Sequence, residues 1–93
     1  MLEAFIEERL VDEVKALGGI ALKFTPMGYN GMPDRVVLLP GGRMCFVEFK
    51  APSKKPTPLQ NECHRLLRSL GYRVFVVDSI MQIGVVLDAV LSS

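Results

Sequence analysis

The chain has 93 residues, of which 49% are hydrophobic and 23% charged, and its formal net charge is +1. So short a chain can bury one core but not two, so a single domain over residues 1–93 is expected, and pairing with a second copy would add welcome apolar burial. No run comes near the roughly 20 apolar residues that cross a bilayer, and Met1-Leu2 leads into Glu3, Glu7 and Glu8 rather than a basic secretory start, so no membrane contact and a cytoplasmic location are expected.

Cys45 and Cys63 lie among apolar neighbours without CxxC spacing or a histidine pattern, which reads as buried reduced thiols and not as a zinc site. A charge near zero gives no general signature of nucleic-acid binding, so any electrostatic footprint must be local. Lys50, Lys54 and Lys55 cluster mid-chain, with Arg65, Arg68 and Arg73 after them, while half of the acids fall in the first 13 residues.

Leu2, Ile6, Leu10, Val14 and Leu17 recur at intervals of four or three, predicting a helix with one buried stripe that Gly18-Gly19 ends. A short strand follows at Ile20–Phe24, then a loop from Thr25 to Pro33 rich in proline and glycine. Its length in so small a domain suggests function. Arg35–Leu39, the turn Pro40-Gly41-Gly42 and Met44–Lys50 read as an antiparallel hairpin, after which the prolines of Ala51–Pro58 mark a surface connection. Leu59, Cys63, Leu66, Leu67 and Leu70 predict a second helix with a narrow apolar stripe, closed by Gly71. Tyr72–Val77 reads as a fourth strand. Ser79 can cap a last helix to about Leu91 with Ile80, Ile83, Leu87 and Leu91 inward, although Val85-Val86 also admits a strand. The order α-β-β-β-α-β-α describes an α/β fold, a mixed sheet flanked by helices.

Alternate strand residues share a face, so Glu48 and Lys50 project together with their Cα atoms about 7 Å apart, beside Phe46, while Cys45, Val47 and Phe49 take the opposite, apolar face. One side of this strand is thus expected to be core and the other to carry a carboxylate beside an ammonium. Asp34 stands at the start of the preceding strand, just after Pro33, where the hairpin brings it near Glu48. Two carboxylates so close repel unless a proton or cation lies between them, and oxygen ligands favour Mg²⁺ or Mn²⁺. Such an ion could bind a phosphate and activate water, with Lys50 holding that water or stabilising developing charge. Taken alone, Glu48 and Lys50 could equally be an ordinary exposed ion pair.

Glu7 falls within the apolar stripe of the first helix, where an inward carboxylate needs a partner that a metal could supply; Glu3, one turn earlier, is the second choice, or simply an acid favoured at a helix N-terminus. Gln60 lies beside the stripe of the second helix, placed to contact metal-bound water or phosphate. His64, the sole histidine, could be a general base or simply sit partly exposed. Lys54 and Lys55, with Lys23 and Arg35 flanking the loop, are candidates for nucleic-acid backbone contacts.

The run Gly31-Met32-Pro33-Asp34-Arg35, then Pro40-Gly41-Gly42, then Phe46-Val47-Glu48-Phe49-Lys50-Ala51-Pro52, with Gln60 and Gly71 after it, resembles the VRR-NUC family, most of all its stand-alone phage and bacterial members. The resemblance extends from the helix with Glu3 and Glu7 to Val77. It implies the PD-(D/E)xK, restriction-endonuclease-like fold and Mg²⁺- or Mn²⁺-dependent phosphodiester hydrolysis in an intracellular setting. Asp34, Glu48 and Lys50 match the family's catalytic positions, and Gln60 matches its helix glutamine. The metal set would be Asp34, Glu48, Glu7 and Phe49, the last through its main-chain carbonyl. Alignment on Gly18 puts a family glutamate at Glu3, while comparison with archaeal Holliday-junction resolvases favours Glu7. By resemblance the protein is a homodimer that cuts branched DNA, four-way junctions foremost. The competing reading is a non-catalytic nucleic-acid-binding or assembly module on the same fold.

Overall fold

The computed structural model describes residues 2–93. Its elements run α1 (Leu2–Ala16), β1 (Ile20–Lys23), β2 (Arg35–Leu39), β3 (Arg43–Phe49), α2 (Pro58–Ser69), β4 (Val74–Val77) and α3 (Met81–Leu91), the order expected from the sequence. The four strands form one sheet in spatial order β1-β2-β3-β4. The first three make an antiparallel meander, and β4 joins β3 in parallel after the α2 crossover. The sheet is therefore mixed, with β3 interior to it.

α1 and α3 cover one face. Ile6, Leu10 and Val14 of α1 and Ile83, Val86, Leu87 and Val90 of α3 close over Val37, Cys45, Val47, Phe49 and Val77. This is the alternation predicted for β3, with every second side chain entering that core. The opposite face differs from expectation: Phe46 and Glu48 are also buried, because α2 lies over them, with Leu67 packed on Phe46 and Val74. A strand between two layers has no wet side, so Glu48 sits in protein rather than in solvent.

Three helical stripes shift relative to the sequence pattern. In α1 the end positions Leu2 and Leu17 are exposed, leaving a shorter stripe of three residues. In α3 the buried set is Ile83, Val86, Leu87 and Val90, while Ile80 and Leu91 are half-buried, and the helical reading of Val85-Val86 is the correct one. α2 departs furthest: Leu59, Leu66 and Leu70 are exposed, Cys63 is half-buried, and the helix instead presents His64 and Leu67 inward. Hydrophobic periodicity finds a helix but cannot tell an apolar stripe facing the sheet from one facing outward.

The termini of the helices are specific. α1 ends with Gly18 at φ +84°, where Gly18 and Gly19 donate to the Lys15 and Val14 carbonyls. α2 begins with a reciprocal capping box: the Thr57 hydroxyl accepts from the Gln60 N–H at 3.2 Å, and Gln60 Oε1 accepts from the Thr57 N–H at 2.9 Å. At α3 the expected cap by Ser79 does not form. Gln82 Oε1 reaches back instead and accepts from the N–H groups of Asp78 and Ser79. Among the described residues no helix is long and apolar enough to cross a membrane.

Candidate active site

Pairing of β2 with β3 runs from Leu39 opposite Arg43 to Arg35 opposite Val47, so the next position along sets Asp34 across from Glu48. There the ladder opens. Pro33 has no N–H to offer, and the Asp34 side chain turns inward, its Oδ2 accepting from the Phe49 N–H at 2.8 Å. The Asp34 carbonyl accepts from Phe24 N–H, which ties the end of β1 to the same point. One Asp34 oxygen is thus anchored to β3 and orients the carboxylate toward the centre of the sheet's end.

The loop before Asp34 is fastened to α2. Gly31 has φ +85° and lies so close to Leu59 that a Cβ there would stand 2.9 Å from Leu59 Cγ, while the Cys63 thiol donates to the Asn30 carbonyl at 3.0 Å. Sequence reasoning did not single out Asn30 or this use of Cys63. Cys45, by contrast, is the buried thiol expected, its pKa pushed up to about 11 by burial.

Glu48 is 2% exposed and gathers the remaining groups. Gln60 Nε2 donates to its Oε2 at 2.9 Å, and Lys50 Nζ lies 3.7 Å from the same oxygen. Burial first, then the Asp34 charge, raises the Glu48 carboxyl to about 7 against the pull of Lys50, and Glu3 is near enough to add to the repulsion. Gln60 has two jobs at once, since its amide oxygen caps α2 and its amide nitrogen holds Glu48. That arrangement also fixes the amide's orientation, because the reverse would set oxygen against carboxylate. The T-x-x-Q signature at Thr57–Gln60 could have revealed the cap from sequence.

The structure brings Asp34, Glu48, Lys50 and Gln60 to one end of β3, with Glu3 in reach of their field. It takes Glu7 elsewhere. Arg35 Nε donates to Glu7 Oε2 at 2.7 Å, and Arg35 Nη1 donates to the Ala21 carbonyl at 3.0 Å. Glu7, expected as a metal ligand, and Arg35, expected at a nucleic-acid backbone, are thus paired with each other. Lys23, Lys54 and Lys55 are exposed, the last two on the segment between β3 and α2. His64, expected to be partly exposed unless it served as a base, is 1% exposed beneath α2.

The donor set fits a hard cation. Asp34 retains an oxygen beyond the one held by Phe49, and Glu48 Oε1 is buried without a hydrogen-bond partner. Among the described residues no three acidic, imidazole or thiol side chains converge to cage an ion by themselves. Two carboxylates completed by water, main-chain or phosphate oxygens suit Mg²⁺ or Mn²⁺, which keep much of their hydration.

Comparison with known proteins agrees with this arrangement. No family model matches the chain. A phage protein carrying the name "Putative nuclease p44", from Acyrthosiphon pisum secondary endosymbiont phage 1, is 53% identical over 77 residues, which is 83% of this chain and 83% of that protein. A solved structure described as a VRR_NUC domain superposes with a TM-score of 0.89 at 35% identity, covering 95% of this chain and 96% of the other. A second, described as a VRR_NUC domain protein, aligns with a TM-score of 0.74 at 20% identity over 99% and 89% of the two chains, which speaks for the fold. With identity spread over most of its length and the same strands and helices in place, the chain belongs to the VRR-NUC family of nucleases.

Proposed function

We propose that the protein is a divalent-metal-dependent DNA endonuclease that hydrolyses phosphodiester bonds in branched DNA, with Asp34, Glu48 and Lys50 as its catalytic residues. The observation that carries this reading is the Glu48 carboxylate, buried, opposite Asp34 and lifted to about 7 by burial and that neighbour. A protein retains such a costly charge where it has a use for it.

Asp34 and Glu48 would hold the ion, with the Phe49 carbonyl beside them and Glu3 as the helix acid acting through water. Bound there, Mg²⁺ or Mn²⁺ supplies Lewis-acid polarisation of the scissile phosphate and eases deprotonation of the attacking water. Lys50, 18% exposed, is the group through which substrate meets the site: its ammonium donates to a phosphate oxygen as negative charge builds. Gln60 holds Glu48 in one rotamer throughout. The water oxygen forms its bond to phosphorus as the P–O bond to the departing strand breaks, the water's proton passing to solvent and the departing oxygen taking one up from it. Lys54 and Lys55, on the exposed connection just beyond Lys50, contact the DNA backbone, with Lys23 at the other end of the loop.

The homodimer expected for a stand-alone domain is supported by the sheet face that α2 leaves open. Ile20 and Leu38 are register partners on that face, Leu22 follows two residues along, and all three are exposed. An apolar row at this place suits a second copy of the chain, which would set two sites on one branched substrate.

The test is incubation of purified protein with labelled four-way junction and linear duplex in Mg²⁺, Mn²⁺ or EDTA, beside Asp34→Asn and Lys50→Ala. Cutting that selects the junction, requires the ion and is lost in both variants is expected. Junction binding without cutting in any metal would assign the non-catalytic module instead, and equal cutting by the variants would place the activity outside this site.

A further inference from the structure

Among the described residues two buried side-chain polar atoms go without a hydrogen-bond partner, Glu48 Oε1 and His64 Nε2, and they lie 3.9 Å from each other. Leaving either unpaired is unfavourable, and two such atoms side by side, 2% and 1% exposed at the residue level, are unusual in a native fold. The separation is under an ångström longer than a hydrogen bond.

His64 follows Gln60 by one turn on α2, so the two side chains descend on Glu48 from the same helix. Gln60 already donates to Oε2, which leaves Oε1 for His64. A neutral imidazole carries one N–H and one bare nitrogen. A bare Nε2 would set its lone pair against the carboxylate, so the tautomer that suits this place has the proton on Nε2.

We propose that His64 is a positioning residue for Glu48: its Nε2–H and the Gln60 amide grip the two carboxylate oxygens from one helix and fix the plane in which Glu48 meets a divalent cation. Each oxygen then keeps a lone pair for the ion, while rotation of the carboxylate is blocked from both sides. A donor behind a metal-binding carboxylate is a recurrent way to set its orientation and basicity. The inference rests on the metal-dependent reading of the site given above.

The experiment titrates Mn²⁺ alone into wild type, His64→Gln and His64→Leu, counting free ion by electron paramagnetic resonance, with thermal melts and kcat and KM for junction cleavage alongside. Leu removes the N–H but fills the space, and Gln carries an amide N–H at comparable reach. Expected is a loss of about tenfold or more in Mn²⁺ affinity for His64→Leu, a lower kcat at fixed Mn²⁺ and an unchanged KM for DNA, with the melt little altered. His64→Gln should recover Mn²⁺ affinity to within about threefold of wild type. Wild-type Mn²⁺ affinity in His64→Leu overturns the proposal. So does a His64→Gln protein that melts like wild type yet binds Mn²⁺ as weakly as His64→Leu, since the imidazole itself would then be a ligand. Should His64→Leu not fold, His64→Gln decides against wild type: a variant that melts like wild type yet loses about tenfold or more in Mn²⁺ affinity overturns the proposal. If wild type neither binds Mn²⁺ nor cuts, the metal-dependent reading fails and takes this one with it, a result distinct from a wild type that binds beside a leucine variant that matches it.

Discussion

Arg35 Nε donates to Glu7 Oε2 at 2.7 Å, joining the first residue of β2 to the middle of α1 across 28 positions of sequence. The pair is shielded on both sides, with the guanidinium 16% and the carboxylate 23% exposed, and Arg35 spends a second N–H on the Ala21 carbonyl. It therefore clamps α1 to the meander and leaves Glu3 as the acid of that helix within the field of Glu48. Glu7→Gln should lower stability in urea by about 1–2 kcal/mol, the worth of a partly shielded charged hydrogen bond, and leave cleavage near wild type. Glu3→Gln should do the reverse, reducing cleavage with no measurable loss of stability. The opposite pattern would return the catalytic assignment to Glu7.

The raised Glu48 carboxyl makes stability depend on pH in a definite direction. Between 4.5 and about 7 the unfolded chain has released a proton that the native chain retains, so rising pH favours unfolding across that window. The stability contributed by the protonated form is complete below 4.5 and gone above about 7. In EDTA, the stability of Glu48→Gln relative to wild type should therefore grow from pH 4.5 to pH 8 by up to about 3 kcal/mol, read by urea denaturation at each pH. A difference that stays flat over this range would contradict the proposed burial of a carboxyl facing Asp34.

The two functions of the Gln60 amide can be separated. Gln60→Glu keeps an oxygen for the Thr57 N–H, so α2 stays capped, but it sets a second carboxylate against Glu48 Oε2. Gln60→Ala removes both bonds. Helix content and melting temperature should fall in Gln60→Ala, whose stability drops by about 1 kcal/mol for the cap and by more for the stranded Glu48. Gln60→Glu should retain helix content near pH 5, lose stability as the pH rises and cut poorly at any pH. Equal behaviour of the two variants at pH 5 would mean that the cap carries no weight.

Gly31→Ala tests whether the loop positions Asp34. At φ +85° an alanine is strained by about 1–2 kcal/mol, and its Cβ meets Leu59 at 2.9 Å, where α2 and the loop touch. Both effects push the loop off α2. A drop of at least about 2 kcal/mol in stability and a loss of cleavage larger than the unfolded fraction accounts for are expected, measured at a temperature where the variant is folded. Full activity in the folded fraction would show that Asp34 is held by its bond to Phe49 alone.

Leu38→Glu puts a charge on the open apolar row without touching the core that holds Val37 and Leu39. Sedimentation velocity should show a wild-type dimer that dissociates on dilution and a variant that is monomeric at all concentrations, with an unchanged circular dichroism spectrum and weaker junction cutting. A wild type that is monomeric throughout would remove the homodimer from the proposed function.

Much of this protein was legible from residue order because the signals were local. Strand alternation in Cys45-Phe46-Val47-Glu48-Phe49-Lys50 separates one core face from the other, the Pro-Gly-Gly turn sets the register that places Asp34 across from Glu48, and helical spacing locates all three helices. Those depend on neighbours a few positions apart. What tertiary structure alone decided was which way each amphipathic face turned and which distant partner a buried charge found. α2 directs Gln60, His64 and Leu67 inward and its leucines Leu59, Leu66 and Leu70 outward, although the leucines make the stronger hydrophobic pattern. Glu7 meets Arg35 from 28 positions away, and Glu48 lies in the interior because a helix crosses the face that alternation alone would leave wet. Burial is a property of layers brought together by the whole chain, and a carboxylate's surroundings are set by groups that sequence distance does not reveal.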